Sequence, residues 1–209
     1  MGGKITYYFA PISGYAYLGH QSLMALAREH GATVEFRPLM IAKVFAASDS
    51  TPPFAQSAPR KSYRIEDQAR WAAQKGLTMT ATPAHWPTDP GPACKAIIAA
   101  GKLGLDQDAI SFGCLKAVWA EDRNIADPDT LADILINGGY DAAEVTKLAN
   151  SQAVADKVQE ITEEAISSEV FGSPTYVYEG ARFWGQDRLS FLAQLLTGSS
   201  EPVAGAEHS

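Results

Sequence analysis

Ile5-Thr6-Tyr7-Tyr8-Phe9-Ala10-Pro11-Ile12-Ser13-Gly14-Tyr15-Ala16-Tyr17-Leu18 opens the chain's first ordered unit and sets its architecture. The first six residues are rich in β-branched and aromatic side chains and are stopped by Pro11, which suits a buried strand. From Tyr15 to His30, Leu18, Leu23, Leu26 and Ala27 recur at helical spacing and Gly31 follows as a C-terminal stop, so a helix is predicted with Ser13 where it begins. Thr33-Val34-Glu35-Phe36-Arg37-Pro38 alternates polar and apolar residues and predicts a second strand. Strand, helix, strand in that order implies a parallel pair with a right-handed crossover, the start of an α/β sheet.

Between Pro38 and Val170 strand signals vanish and capped helical segments take over. Arg60 to Lys75 ends at Gly76, Pro92 to Leu103 follows the Asp89-Pro90-Gly91 turn, and Asp106 to Arg123 and Pro128 to Ile136 come next, the last started by Asp127. Asp141 with Glu144 reads as a capping-box variant, and Ser151 as the cap of a helix whose Val154, Val158, Ile161 and Ala165 form one apolar stripe. Sheet character returns at Pro174 to Tyr178, a Glu179-Gly180 turn and Ala181 to Trp184, which make a hairpin. A last helix is expected over Asp187 to Leu196. Residues 198–209, with almost no large apolar side chain, are expected to stay disordered. The expected division is therefore a sheet unit from residues 1–38 and 171–197 around a helical insertion of residues 39–170, with no internal repeat.

Composition narrows the function classes. In 209 residues, 46% hydrophobic, 24 acidic side chains exceed 17 basic ones for a net charge of -7, so the counterion-release drive toward nucleic acid or an anionic membrane is missing. No apolar run approaches the roughly 18 residues of a membrane span, and no basic region or small-residue cleavage site marks the start, so a cytoplasmic protein is expected. Cys94 and Cys114 have neither C-x-x-C spacing nor a histidine partner, so they read as buried small hydrophobes, not as a disulfide, zinc site or dithiol motif. His20, His30 and His208 offer no metal site either.

The element order, with a polar residue opening the first helix and a proline before the third strand, resembles the thioredoxin-like fold carrying a large all-helical insertion. Tyr8 to Leu18 is similar to the opening of 2-hydroxychromene-2-carboxylate isomerases and kappa-class glutathione transferases, a branch of the DsbA-like superfamily, with Ser13 where the attacking cysteine of that superfamily stands. The resemblance extends through Asp67-Gln68-Ala69-Arg70-Trp71, Thr82-Pro83-Ala84-His85, Val170-Phe171-Gly172-Ser173-Pro174-Thr175 and Trp184-Gly185-Gln186-Asp187-Arg188-Leu189, about residues 4 to 197. Each string is weak alone; five in order on the right elements are specific. The chain departs from the pattern at Ala10, usually Asp, at Gly14, usually Pro, and at Ser173, usually aliphatic.

The resemblance implies glutathione as cofactor. Its implied contacts are Ser13, Ser173 and Pro174, the last expected in the cis form that turns the Ser173 backbone toward the cleft, and Trp184, Gly185, Gln186 and Asp187 for the γ-glutamyl end. Physically, Ser13 offers a hydroxyl at the positive end of a helix, where a thiolate is stabilised. Lowering a thiol pKa of about 8.5 by two units takes roughly 2.7 kcal/mol. A helix end supplies up to about 2 kcal/mol and a hydrogen bond to a charged acceptor about 1.5 to 3, so the two suffice together. On their own, Ser13 reads as an ordinary N-cap, Asp187 as a helix cap and Trp184 as core.

The expected activity is interconversion of 2-hydroxychromene-2-carboxylate and trans-o-hydroxybenzylidenepyruvate in aromatic degradation. In the implied course a thiolate adds to the conjugated carbon, the hemiketal opens, the new single bond rotates and elimination regenerates glutathione. An anionic substrate needs a cation, and Lys43 with Arg60, Lys61, Tyr63 and Arg64 is the best local supply in an acidic chain, though a solvated helix face is the plainer reading. His85 matches a substrate-contacting position of the family. A kappa-like glutathione transferase shares the glutathione half-site, and a redox-inactive peptide-binding module would use Ser173 and Pro174 alone. The family also implies a homodimer.

Overall fold

The computed structural model describes residues 2–198. The tail expected to stay disordered therefore lies outside the described residues, apart from Gly198. The opening residues form β1 (Lys4–Phe9), α1 (Gly14–Glu29) and β2 (Thr33–Pro38), and β1 and β2 pair in parallel from Lys4 opposite Thr33 to Phe9 opposite Pro38. The hairpin is β3 (Thr175–Tyr178) and β4 (Ala181–Trp184), joined by Glu179 and Gly180, both with positive φ, as the primed two-residue turn requires. β3 runs antiparallel to β1, giving one four-stranded sheet in the order β2-β1-β3-β4. This is the thioredoxin-like α/β arrangement, with its two halves brought together from the ends of the chain.

The intervening segment is helical: α2 (Ile41–Ala47), a 3-10 turn (Pro53–Ala55), α3 (Ala58–Lys75), α4 (Gly91–Lys102), α5 (Gln107–Trp119), α6 (Pro128–Asn137), α7 (Ala142–Ala149) and α8 (Gln152–Ser167). After β4 come a 3-10 turn (Gln186–Arg188) and α9 (Leu189–Leu196). The buried apolar side chains of sheet and helices form one contiguous cluster, from Ile5, Tyr7 and Phe9 through Ile97, Leu115 and Trp119 to Val154 and Leu192. Two polar ties cross it. His20 on α1 is completely buried, its Nε2 2.8 Å from Asp108 Oδ1 on α5 and its Nδ1 3.4 Å from the Tyr7 hydroxyl. The Tyr8 hydroxyl donates to Glu164 of α8 at 2.7 Å.

Three expectations need correction, and one helix lies outside them. The helix expected to run to Arg123 ends at Trp119, because the chain reverses there: Asp122 takes a φ of 54° and Arg123 N–H returns to Ala117 O at 2.8 Å. The sequence pattern does not announce α2, since Met40 at its start gives no side-chain cap and only Ile41 and Val44 are buried. Ser151 stands at the N-cap of α8, but its hydroxyl is buried without a partner and only its carbonyl serves the helix. The last α-helix starts at Leu189, two residues beyond the expected Asp187, because the chain first tightens into the 3-10 turn. Asp106, Asp127 and Asp141, by contrast, cap α5, α6 and α7 through their carboxylates.

Cys94 on α4 and Cys114 on α5 are free and fully buried, and burial pushes the Cys114 thiol up to about 12 and raises that of Cys94 too. Thiolate is the reactive form, so both should be inert in the folded protein. With a coloured disulfide reagent at mildly alkaline pH, neither thiol should react before guanidinium is added and both should react after it. Fast labelling of the native chain would contradict this packing.

Candidate active site

The site is built where α1 begins. Ser13 is the N-cap, in extended conformation, and its Oγ accepts the Ala16 N–H at 3.2 Å. The same hydroxyl donates to the Ser173 carbonyl at 3.0 Å, across from the cis peptide between Ser173 and Pro174. Ser173 Oγ in turn accepts the Ala10 N–H at 2.9 Å, a role that an aliphatic side chain at that position lacks. These bonds lace the β1-α1 junction to the segment that enters β3. With Ala16 N–H taken by the cap, the Gly14 and Tyr15 N–H groups have no partner among the described residues, as expected for the first turn of a helix.

Ser13, Gly14, Tyr15 and Ser173 form one end of a largely apolar cavity. Its walls are Ile41 and Phe45 of α2, Phe54 of the 3-10 turn that follows, Arg64 and Gln68 of α3, and the indoles of Trp86 and Trp119. Both indole N–H groups donate to one carbonyl, that of Ile12, at 3.0 and 3.2 Å, which holds the residue before Ser13 in place. Arg64 is the one charged side chain among the described residues that line the cavity. Its guanidinium lies 4.4 Å from the Trp86 ring centroid, a cation–π contact, and burial lowers its pKa while neighbouring Tyr15 opposes the shift. Its Nε is buried with no hydrogen-bond partner. Tyr15 is tied to α3 by a 2.8 Å bond from its hydroxyl to Asp67.

Of the expected basic group, only Arg64 enters the cavity. Tyr63 is 62% exposed and outside the cavity wall, and Arg60 and Lys43 are exposed too. Lys61 is half-buried but absent from the wall. Helical geometry explains the split: at about 100° per residue, positions 60, 61, 63 and 64 fan over about 160° of α3, and the cavity meets only the part of that arc that Arg64 occupies. His85 is exposed outside the cavity, whereas its neighbour Trp86 lines it. Trp184 is 53% exposed and packs edge-on against Phe171 at 4.8 Å, so it is a surface aromatic and not the core residue that its type alone suggests. Gly185 N–H donates to Pro174 O at 2.9 Å, which sets the following turn beside β3. In that turn Gln186 is buried, its Oε1 unpartnered, and Asp187 pairs with Arg188 at 2.9 Å instead of capping a helix.

Residues 4–197 match the model of the DSBA-like thioredoxin domain. The chain belongs to that family. Within it, the chain is 29% identical over 198 residues to 2-hydroxychromene-2-carboxylate isomerase of Sphingobium xenophagum, covering 94% of this chain and 99% of that one. A solved 2-hydroxychromene-2-carboxylate isomerase superposes with a TM-score of 0.81 over 95% of this chain and 100% of that one, at 24% identity. The cytosolic disulfide reductase DsbM of Pseudomonas aeruginosa superposes with a TM-score of 0.64 at 19% identity, over 93% and 98% of the two chains. The DsbA-like fold thus carries Ser13 at the start of its first helix, and both cysteines lie buried in the helical segment away from it.

Ser13→Ala removes the α1 cap and the donor to Ser173 O together. Loss of an N-cap hydroxyl costs about 0.5 to 2 kcal/mol, so the stability measured by urea unfolding should fall by that amount with an unchanged slope. Ser13→Thr, which keeps the oxygen, should recover most of the loss. An alanine variant as stable as the parent would mean that the cap does not hold in solution.

Proposed function

We propose that the chain is a glutathione-dependent isomerase that interconverts 2-hydroxychromene-2-carboxylate and trans-o-hydroxybenzylidenepyruvate type compounds. One observation carries the reading. A single apolar cavity has an unpaired helix N-terminus with a serine hydroxyl at one end and one cation without a carboxylate partner, Arg64, in its wall. The isomerase names of the relatives support the same substrate class.

The residues fit the thiol end of glutathione. The unpartnered N–H groups of Gly14 and Tyr15 and the Ser13 hydroxyl favour an anion there, and the apolar wall withholds competing water. When bound, glutathione supplies a thiolate that adds reversibly to a conjugated carbon. For Ser13 to donate to that sulfur its hydroxyl must turn away from Ser173 O, which then becomes free to accept an N–H from the tripeptide backbone, so one hydrogen bond is exchanged for two. At the γ-glutamyl end, Asp187 beside Arg188 offers both signs for a zwitterion, Gly185 and the Gln186 backbone complete the turn, and the exposed Trp184 flanks it. The aromatic ring of the substrate lies against Trp86 and Trp119, and its carboxylate meets Arg64. This reading carries a cytoplasmic location, where the glutathione pool lies, and a homodimer.

The direct test follows the absorbance of 2-hydroxychromene-2-carboxylate with and without glutathione. Turnover should need glutathione and return it unconsumed; turnover unaffected by its removal would overturn the reading, and a stable conjugate as product would favour a transferase. Ser13→Ala should lower turnover about 10- to 150-fold, the loss of one hydrogen bond to a charge. Arg64→Gln should raise the substrate KM by about 10-fold or more, whereas Lys43→Gln and Arg60→Gln, outside the cavity, should stay within about twofold. Equal effects from all three would disperse the carboxylate site over the surface.

A further inference from the structure

We infer that the Gln68 carboxamide recognises the oxygen on the carbon next to the substrate carboxylate, so that Arg64 and Gln68 form a two-point clamp for 2-oxo and 2-hydroxy acids. The inference rests on the proposed reading of the cavity and names the group that selects its substrate class.

Gln68 is 4% exposed, lines the cavity, and its carboxamide makes no hydrogen bond with any described residue. The amide atoms open onto the cavity while the rest of the side chain is packed, so the group is fixed in the wall with its donor and acceptor free for a ligand. Gly14 is the second, independent observation. A Cβ at that position would overlap the Gln68 amide nitrogen and come within 3.0 Å of Trp119 Cζ2 and 3.1 Å of Met79 Cε. The glycine that replaces the usual proline is therefore what admits the donor end of Gln68 to the first turn of α1, beside Ser13. The Tyr15 to Asp67 bond one residue away locks the same register between α1 and α3.

Arg64 and Gln68 are four residues apart on α3, which stacks them on one face with about 5 to 6 Å between their Cβ atoms. A carboxylate and the oxygen of the adjacent carbon fit that spacing, the first on the guanidinium and the second on the amide. The amide can donate to a 2-oxo group or accept from a 2-hydroxyl, and so serves both the open and the cyclic compound. When a nucleophile adds to the conjugated carbon, the π pair of the carbon–carbon double bond shifts along the conjugated system and the carbonyl π pair moves onto the 2-oxo oxygen; both shifts reverse when the nucleophile leaves. A donor placed on that oxygen stabilises the charge as it develops.

The test is calorimetric titration of the chain without glutathione, with benzylidenepyruvate and with cinnamate, which keeps the ring, double bond and carboxylate but lacks the 2-oxo group. The parent should bind benzylidenepyruvate more tightly. Gln68→Met should weaken it about 3- to 10-fold, the worth of one neutral hydrogen bond, with cinnamate unchanged, and Arg64→Gln should weaken both. Gly14→Ala, which displaces the amide without removing it, should shift the ratio in the same direction as Gln68→Met. A parent that does not bind benzylidenepyruvate, or that treats the two probes alike, overturns the clamp, as does a Gln68→Met variant that weakens both or neither. Isomerase turnover by the parent is scored separately. Discrimination without turnover leaves the clamp and sinks the isomerase reading, and turnover without discrimination does the reverse.

Discussion

The hydroxyl of Ser13 holds the N-terminal turn of α1 and the backbone entering β3 in a single hydrogen-bonded unit. It accepts from Ala16 and donates to Ser173 O, and Ser173 Oγ closes the unit by accepting from Ala10. Because the two segments are 160 residues apart in sequence, this junction also closes the sheet unit around its helical insertion. A cap of this kind leaves the Gly14 and Tyr15 N–H groups unanswered while fixing where they sit. In the proposed reading the atoms that cap α1 are also those that would meet the anion, with a hydroxyl donor at Ser13.

The opposite wall depends on what the insertion packs against that junction. Trp86 and Trp119, from the loop before α4 and the end of α5, share the Ile12 carbonyl, and Arg64 stacks on Trp86. The cation is therefore held by a ring and not by a carboxylate, so an incoming anion meets no internal competitor. Desolvation of Arg64 strengthens its pairing with such an anion, since charges interact more strongly away from water. Arg64, whose Nε is buried without a partner, and Gln68, whose amide bonds to no described residue, both belong to the cavity wall.

Much of the fold is legible in the sequence because the signals are local. Pro11 stopping an apolar run, Gly31 and Gly76 ending helices, and Glu179-Gly180 between two short strands each act within a few residues. Ser13 and Pro174 are legible as parts of ordered strings. The aromatic wall is not: the Trp86 and Trp119 bonds to Ile12 span 74 and 107 residues, and no periodicity announces them. Among the basic residues near Arg60, only the rotation of α3 against α1 selects Arg64, and that rotation is set by Gly14 and Tyr15 meeting Gln68 and Asp67. The Gln186 side chain is buried for a similar reason, since the turn that carries it packs against α1.

The claim that the α1 end stabilises a thiolate is tested most directly by the ultraviolet absorbance of bound glutathione thiolate as a function of pH. With the chain in excess, the thiol should ionise about two units below its ordinary value of about 8.5, the shift that the helix end and one hydroxyl can together supply. In Ser13→Ala the shift should shrink by about one to two units, since a hydrogen bond to a charge is worth about 1.5 to 3 kcal/mol. Bound glutathione that titrates at its free-solution value in the parent chain would contradict the account.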